Sequence, residues 1–124
     1  MARRGRLTRQ AAERRGRQAE AVAALWLRLK AYRIMTQRVK TPVGEIDLIA
    51  RRGRVLAFIE VKQRRTHGEA MMAVPDQGWQ RIAAAAQSWS AGQPHAVHSL
   101  NWRYDLMTVS SRFHPRHHID YWRP

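Results

Sequence analysis

The chain has 124 residues, no Cys, and a formal net charge of +14 from 23 basic and nine acidic side chains. That length fits one domain with a single core that needs neither disulfide nor structural metal, and the absence of Cys removes disulfide frameworks, thiolate zinc sites and thiol nucleophiles together. The longest apolar stretch, residues 19–29, is broken by Glu20 and Arg28 and is too short and too charged for a bilayer span, so the expectation is a soluble cytoplasmic protein without a membrane partner.

A basic excess of this size attracts polyanions, and nucleic acid is the commonest of them in a cytosol. Anionic lipid or ribosome contact are the alternatives. Of the 23 basic residues 20 are Arg, whose planar fork suits phosphate, although a compositional bias would produce the same skew.

Residues 1–17 carry seven Arg against one Glu with almost no apolar periodicity. They predict a flexible basic arm, bounded at residues 1–15, that merges into the first helix, with one domain over 16–124. From residue 13 to 29 the pattern is helical, with Ala19, Val22, Ala23, Trp26 and Leu27 in one apolar stripe and Glu20 at its margin.

Three strand-like runs follow, at residues 32–39, 45–50 and 55–62, separated by a Thr41-Pro42-Val43-Gly44 turn and a tight turn at residues 51–54. In the second run Ile46, Leu48 and Ala50 alternate with Glu45, Asp47 and Ile49. In the third, Val55, Ala57, Ile59 and Val61 alternate with Leu56, Phe58, Glu60 and Lys62. Residues 63–74 predict a loop. A second helix starts near Pro75-Asp76 with Trp79, Ile82, Ala83, Ala86 and Trp89 on one face, then come a connection, a strand at 102–109 and a short one at 117–122.

The middle hairpin carries the chemistry. A turn closing at Arg52-Gly53 pairs Ala50 with Val55, Asp47 with Phe58 and Glu45 with Glu60. Asp47, Glu60 and Lys62 then share a face, with the two carboxylates as diagonal neighbours. A three-residue loop or a bulge would reverse this parity. Two converging carboxylates leave room for one divalent cation, and Mg²⁺ typically takes one or two from a protein. Such a cation activates water and neutralises phosphoryl charge, the two needs of phosphodiester attack, while Lys62 can orient the water. The alternative is a solvated strand face with a Glu–Lys surface pair. The neighbouring apolar Ile49, Leu56 and Phe58 argue against that alternative, but spacing alone leaves both readings open.

The runs Gly16-Arg17-Gln18-Ala19-Glu20, Gly44-Glu45-Ile46-Asp47-Leu48-Ile49-Ala50 and Phe58-Ile59-Glu60-Val61-Lys62-Gln63-Arg64 resemble the YraN-like family of bacterial endonuclease-fold proteins. Ala73-Val74, Arg81 and Arg103-Tyr104-Asp105 follow in the family's order. The resemblance implies membership of the PD-(D/E)xK nuclease superfamily, related to Holliday-junction resolvases. It implies an α/β, restriction-endonuclease-like αβββαβ core, a mixed sheet flanked by two helices. It also matches Asp47, Glu60 and Lys62 to the catalytic set, with Asp47 and Glu60 as metal ligands for Mg²⁺ or Mn²⁺, and Glu20 to an auxiliary acid. One departure stands out: where the family has a basic residue in the second helix, this chain has Gly78, with Gln77, Gln80 or Arg81 nearby.

Arg17, Arg64, Arg65 and Arg81 are the candidate nucleic-acid contacts, with DNA ahead of RNA. His114, His117 and His118 fit no tetrahedral zinc pattern. Trp102 and Trp122 sit at strand ends, where stacking on bases is conceivable. Asp105 follows Arg103 on one strand face, which predicts a structural ion pair, with a catalytic role for Asp105 as the alternative. A homodimer is compatible with the sequence, though no exposed apolar stripe commits to one. The expectation is a metal-dependent nuclease acting on DNA, including branched DNA, with a catalytically inactive binding module of the same fold as the alternative.

Overall fold

The computed structural model describes residues 2–124, with side chains from residue 5 onward; Met1, the first residue of the expected arm, lies outside the described residues. Helix α1 (Ala2–Leu29) precedes three strands, β1 (Arg33–Thr41), β2 (Gly44–Arg52) and β3 (Val55–Gln63). A one-turn helix α2 (His67–Met71) and a longer α3 (Asp76–Ala91) lead through a 3-10 turn, His95–Ser99, to β4 (Asn101–Val109) and β5 (Pro115–Trp122). The strands form one sheet in chain order, with β3 and β4 parallel and the other neighbours antiparallel. A parallel pair needs a crossover, and α3 supplies it. This is the mixed α/β sheet expected from the sequence, consistent with a restriction-endonuclease-like core. Among the described residues no helix is long and apolar enough to cross a membrane.

Each face of the sheet has its own core. Ala19, Ala23, Ala24 and Leu27 of α1 pack on Leu48, Ala50, Ala57, Ile59, Val61, Met107 and Val109. Trp79, Ile82, Ala85 and Ala86 of α3 pack on Ile49, Leu56, Phe58, Tyr104 and Leu106. Fully burying one side chain such as Phe58 or Leu27 contributes about 1.5–3 kcal/mol. Trp102 meets Phe58 edge-on at 5.0 Å and donates its indole N–H to the Val97 carbonyl at 3.1 Å. Trp122 stacks on Trp79 at 6.0 Å and donates to Asp76 Oδ1 at 2.8 Å. Trp122 thus fastens β5 to α3, and Trp102 fastens β4 to β3 and the 3-10 turn.

Three local findings differ from the sequence expectation. First, α1 runs unbroken through Gly16, so the basic segment and the packed helix are one rod, roughly 42 Å long at 1.5 Å per residue. Arg6, Arg9, Arg14, Arg15 and Arg17 are exposed along it. Second, part of the expected loop 63–74 folds as α2, because the Thr66 hydroxyl accepts the Glu69 N–H at 3.2 Å and caps that turn. Third, the β2–β3 hairpin closes on Gly53-Arg54, pairing Arg52 with Val55 and Leu48 with Ile59. Gly53 has φ +59 and Arg54 is not left-handed, the pattern of a type II′ turn. The register is therefore two residues from the one expected. A shift of two keeps the parity, so the side-chain faces survive.

The hairpin between β1 and β2 forms at the predicted turn, with Thr41 Oγ1 accepting the Val43 and Gly44 N–H groups. Gly44 is fixed by a neighbour: a Cβ there would lie 2.8 Å from the Arg81 carbonyl oxygen of α3. Backbone cannot give way as a flexible side chain can. Gly44→Ala is expected to destabilise the protein by about 1–3 kcal/mol, read as a lower urea midpoint with an unchanged slope.

Candidate functional site

The site lies where β2 and β3 part. Their backbone pairing runs from Arg52–Val55 to Leu48–Ile59 and stops. The next step of that register brings Asp47 level with Glu60, directly opposite where the sequence reading made them diagonal. There the Val61 N–H donates to Asp47 Oδ2 at 2.8 Å, so a side chain takes the place of a ladder partner. The alternation expected for β2 breaks at this point: Ile46 packs with Ile49 on the α3 side, whereas Leu48 and Ala50 pack on the α1 side. Arg38 of β1, between the pairs Gln37–Leu48 and Val39–Ile46, has φ +54 at the same level. The kink turns Asp47 into the gap instead of onto a flat face.

Glu60 and Lys62 face that gap from β3. Lys62 Nζ lies 3.6 Å from Glu60 Oε1, with the Glu60 side chain 13% exposed. Burial, together with a hydrogen bond to and repulsion from Asp47, pushes the Glu60 pKa up from 4.5 to about 9, against the opposing pull of Lys62. Two carboxylates this close cannot both hold their charge comfortably without a cation. Among the described residues no three His, Asp or Glu groups converge as a metal cluster. Asp47 and Glu60 make two, the number Mg²⁺ commonly takes from protein, and their mutual repulsion is the feature a divalent ion relieves.

Asp47 opens onto three clefts. One is lined by Glu13, Arg17, Glu20, Arg38, Lys40 and Glu45. A second, of about 600 Å³, runs between α1 and the end of β3 past Glu20, Glu60 and Lys62 to Arg15, Arg64, Arg65 and Ser111. The third lies on the α3 side, with Glu60, Lys62, Gln77, Gly78 and Arg81. Each residue expected to act in catalysis or to contact nucleic acid thus lines a cleft that reaches Asp47: Glu20, Glu60 and Lys62 among the acid and amine groups, and Arg17, Arg64, Arg65 and Arg81 among the cations. Arg15, Arg38 and Lys40 were missed. Arg15 fell inside the presumed arm, and nothing in a short edge-strand pattern marks Arg38. Glu20 is held by Arg38, whose Nε donates to Oε2 at 2.8 Å.

The sequence pattern of the family described as "Uncharacterised protein family UPF0102" matches residues 19–109, which span both the helix carrying Glu20 and the strands of the site. The chain belongs to the UPF0102 family. A UPF0102 protein of Chelativorans sp. (strain BNC1) is 54% identical over 112 residues, 90% of each chain, and one of Erythrobacter litoralis (strain HTCC2594) is 44% identical over 118 residues, 95% of this chain and all of the relative. UPF0102 is the YraN-like, nuclease-like family, so the resemblance carried by the Gly-Glu-Ile-Asp and Glu-Val-Lys runs holds.

The position expected to carry a basic side chain, Gly78, faces the α3-side cleft in this UPF0102 chain. A Cβ there would sit 3.2 Å from Val74 Cγ1 and 3.5 Å from Pro75 Cδ, so a larger residue needs that loop to yield. Arg81, one turn on, and Gln77 line the same cleft, whereas Gln80 is turned to Asp76 at 2.7 Å.

A second charged cluster lies inside the sheet at the β4–β5 step. Asp105 is fully buried and accepts from Arg103 Nε and Nη2, from the Asp120 N–H and from His117 Nε2. Burial alone would raise its pKa, but His117, Arg103 and the Asp120 N–H outweigh that and hold it below the ordinary value. Arg103 also donates to the Tyr32 hydroxyl at 2.6 Å. The expected Arg103–Asp105 pair is thus the centre of a network that ties the α1–β1 connection to β4 and β5. It does not line the Asp47 clefts. On the other face, His67, Thr108 and His118 form a hydrogen-bonded chain at 2.7 and 2.9 Å.

Proposed function

We propose that this UPF0102 protein binds nucleic acid through its basic clefts and hydrolyses a phosphodiester with a divalent cation held by Asp47 and Glu60. The observation that carries this reading is the meeting of Asp47, Glu60 and Lys62 at the point where three Arg-bearing clefts join. Mg²⁺ or Mn²⁺ bound there would lower the pKa of a water and withdraw charge from the phosphate. The chain's own residues do the rest. Arg15, Arg64 and Arg65 on one side and Arg81 on the other hold flanking phosphates with forked N–H donors. The Lys62 ammonium stabilises charge developing on the reacting group and keeps Glu60 oriented. Glu60, freed of its proton, and Asp47 are acceptors only, as a cation requires. DNA, including branched DNA, is the first substrate to test, given the family's nuclease-like fold.

Gly78 favours a second reading, binding without cleavage, because the α3-side cleft lacks one cation that a nuclease of this fold is expected to bring. A panel of duplex, single-stranded, flapped and four-way DNA, with matched RNA, incubated with Mg²⁺ or Mn²⁺ separates the two. Cleavage by wild type and none by Asp47→Asn supports hydrolysis. Binding with no cleavage on any member supports the second reading.

Either reading requires salt-dependent binding. Neutralising each phosphate of a duplex contributes a slope of about −0.9 in log K against log salt, so five contacts, from Arg15, Arg17, Arg64, Arg65 and Arg81, predict a slope steeper than roughly −4. Fluorescence anisotropy across a salt series measures it, and an affinity that barely moves would remove the electrostatic basis of the proposal.

A further inference from the structure

Glu20 and Arg38 make a contact that the proposed reaction does not need. Glu20 lines both the α1-side clefts that reach Asp47, yet its carboxylate is turned to the guanidinium of Arg38, at 2.8 Å. Arg38 is poorly suited to its backbone. Its φ of +54 is a left-handed conformation that Gly, Asn and Asp adopt far more readily than a long side chain. It sits opposite Asp47, at the kink that opens the site. The Arg38 side chain is 46% exposed and that of Glu20 16%, so the guanidinium is open to a ligand arriving from solvent while the carboxylate is largely covered. The same cleft holds Arg17 and Lys40, which draw an anion towards it.

We infer that Arg38 is a positioning residue that keeps Glu20 out of the metal site until a phosphodiester takes its guanidinium. Guanidinium binds phosphate as readily as carboxylate, and with the same two-pronged geometry. A backbone phosphate entering the cleft exchanges for Glu20, and Glu20 then becomes a third carboxylate beside Asp47 and Glu60. The free protein has a two-carboxylate site and the substrate-bound protein a three-carboxylate site, so cation and nucleic acid bind cooperatively. No bond is made or broken in this exchange; one ion pair replaces another. The inference rests on the proposed metal site at Asp47 and Glu60.

Mn²⁺ binding followed by calorimetry and by electron paramagnetic resonance tests it without any measurement of activity. Four proteins are compared: wild type, Arg38→Asn, which suits the left-handed backbone, Glu20→Gln, and the double variant. Cation affinity rises with the number of charged ligands. Arg38→Asn is therefore expected to bind Mn²⁺ roughly tenfold more tightly than wild type, Glu20→Gln to match wild type, and the double variant to lose the gain. A short single-stranded DNA added to wild type should reproduce the gain and add little to Arg38→Asn. If the gain persists in the double variant, Arg38 acts only as a nearby positive charge and the tether is overturned. If wild type binds Mn²⁺ through Asp47 but Arg38→Asn and DNA leave the affinity unchanged, the tether fails while the metal site stands. If no variant binds Mn²⁺, with or without DNA, both fail.

Discussion

Asp47→Asn is expected to abolish cation-dependent cleavage, by at least about a thousandfold or roughly 4 kcal/mol of barrier, while leaving the protein folded and more stable at alkaline pH without metal. The fold survives because Asp47's structural duty is to accept the Val61 N–H, and an amide oxygen can do that as well. The gain in stability follows from Glu60. Its pKa is raised from 4.5 to about 9, by burial first and then by Asp47. A carboxyl whose folded pKa is raised binds more protons folded than unfolded. The stabilisation is complete below pH 4.5 and is lost as pH climbs through 9, so wild type without metal weakens steadily across that window. Removing the Asp47 charge lowers the Glu60 pKa and flattens the slope. Urea unfolding at pH 5, 7 and 9, with and without Mg²⁺, reads this directly. Mg²⁺ should rescue wild type most at pH 9, and Asp47→Asn hardly at all.

The largest loss of stability is expected from Asp105→Ala, about 3–5 kcal/mol. The carboxylate is fully buried and receives four N–H groups, from Arg103, His117 and the Asp120 backbone. Truncation leaves Arg103 charged beside Tyr32 with no acceptor of opposite sign, and leaves the Asp120 N–H unpaired at a residue with φ +55. Against a total stability of about 5–15 kcal/mol, that is a severe lesion. The wild-type carboxylate has a depressed pKa, so its contribution is present above 3.8 and is lost as pH falls below that value. Thermal melting at pH 7 should separate the variant sharply from wild type, and the difference should shrink in acid. Because the network does not line the clefts, DNA affinity at a temperature where both proteins are folded should be equal.

The contrast between these two Asp residues shows how much the sequence could tell. Five strands and the two main helices were legible from period-two and period-3.6 patterns, most clearly in β2 and β3, which bury apolar residues on both faces and meet at a Gly-containing turn. The placement of Asp47, Glu60 and Lys62 was legible for a subtler reason. Hairpin closure on Gly53-Arg54 instead of Arg52-Gly53 shifted the pairing by two, which a strand's period of two forgives. The kink at Asp47 was not legible, since it arises from a side chain taking the Val61 N–H, a contact between two strands that no local pattern encodes. Arg38 was hidden for the same reason: only its left-handed backbone and the nearness of α1 make it a partner for Glu20. The Arg103–Asp105 pair was visible as i, i+2 neighbours on one strand, but His117 and Tyr32 reach it from elsewhere in the chain. The basic segment at the start of α1 had no apolar stripe to declare it helical, yet it continues the helix that Leu27 and its neighbours anchor.

Titration calorimetry of wild type and Asp47→Asn with Mn²⁺ at pH 7 tests the proposed metal site most directly. Burial and the neighbouring Asp47 raise the Glu60 pKa to about 9, which favours its protonated form in the free protein, so cation binding is expected to displace a proton. The expected result is one Mn²⁺ per wild-type chain, with an enthalpy that depends on the buffer's heat of ionisation, an affinity that increases from pH 6 to 9, and binding weakened at least tenfold in Asp47→Asn. Equal Mn²⁺ binding by the two proteins would contradict a cation site at Asp47 and Glu60.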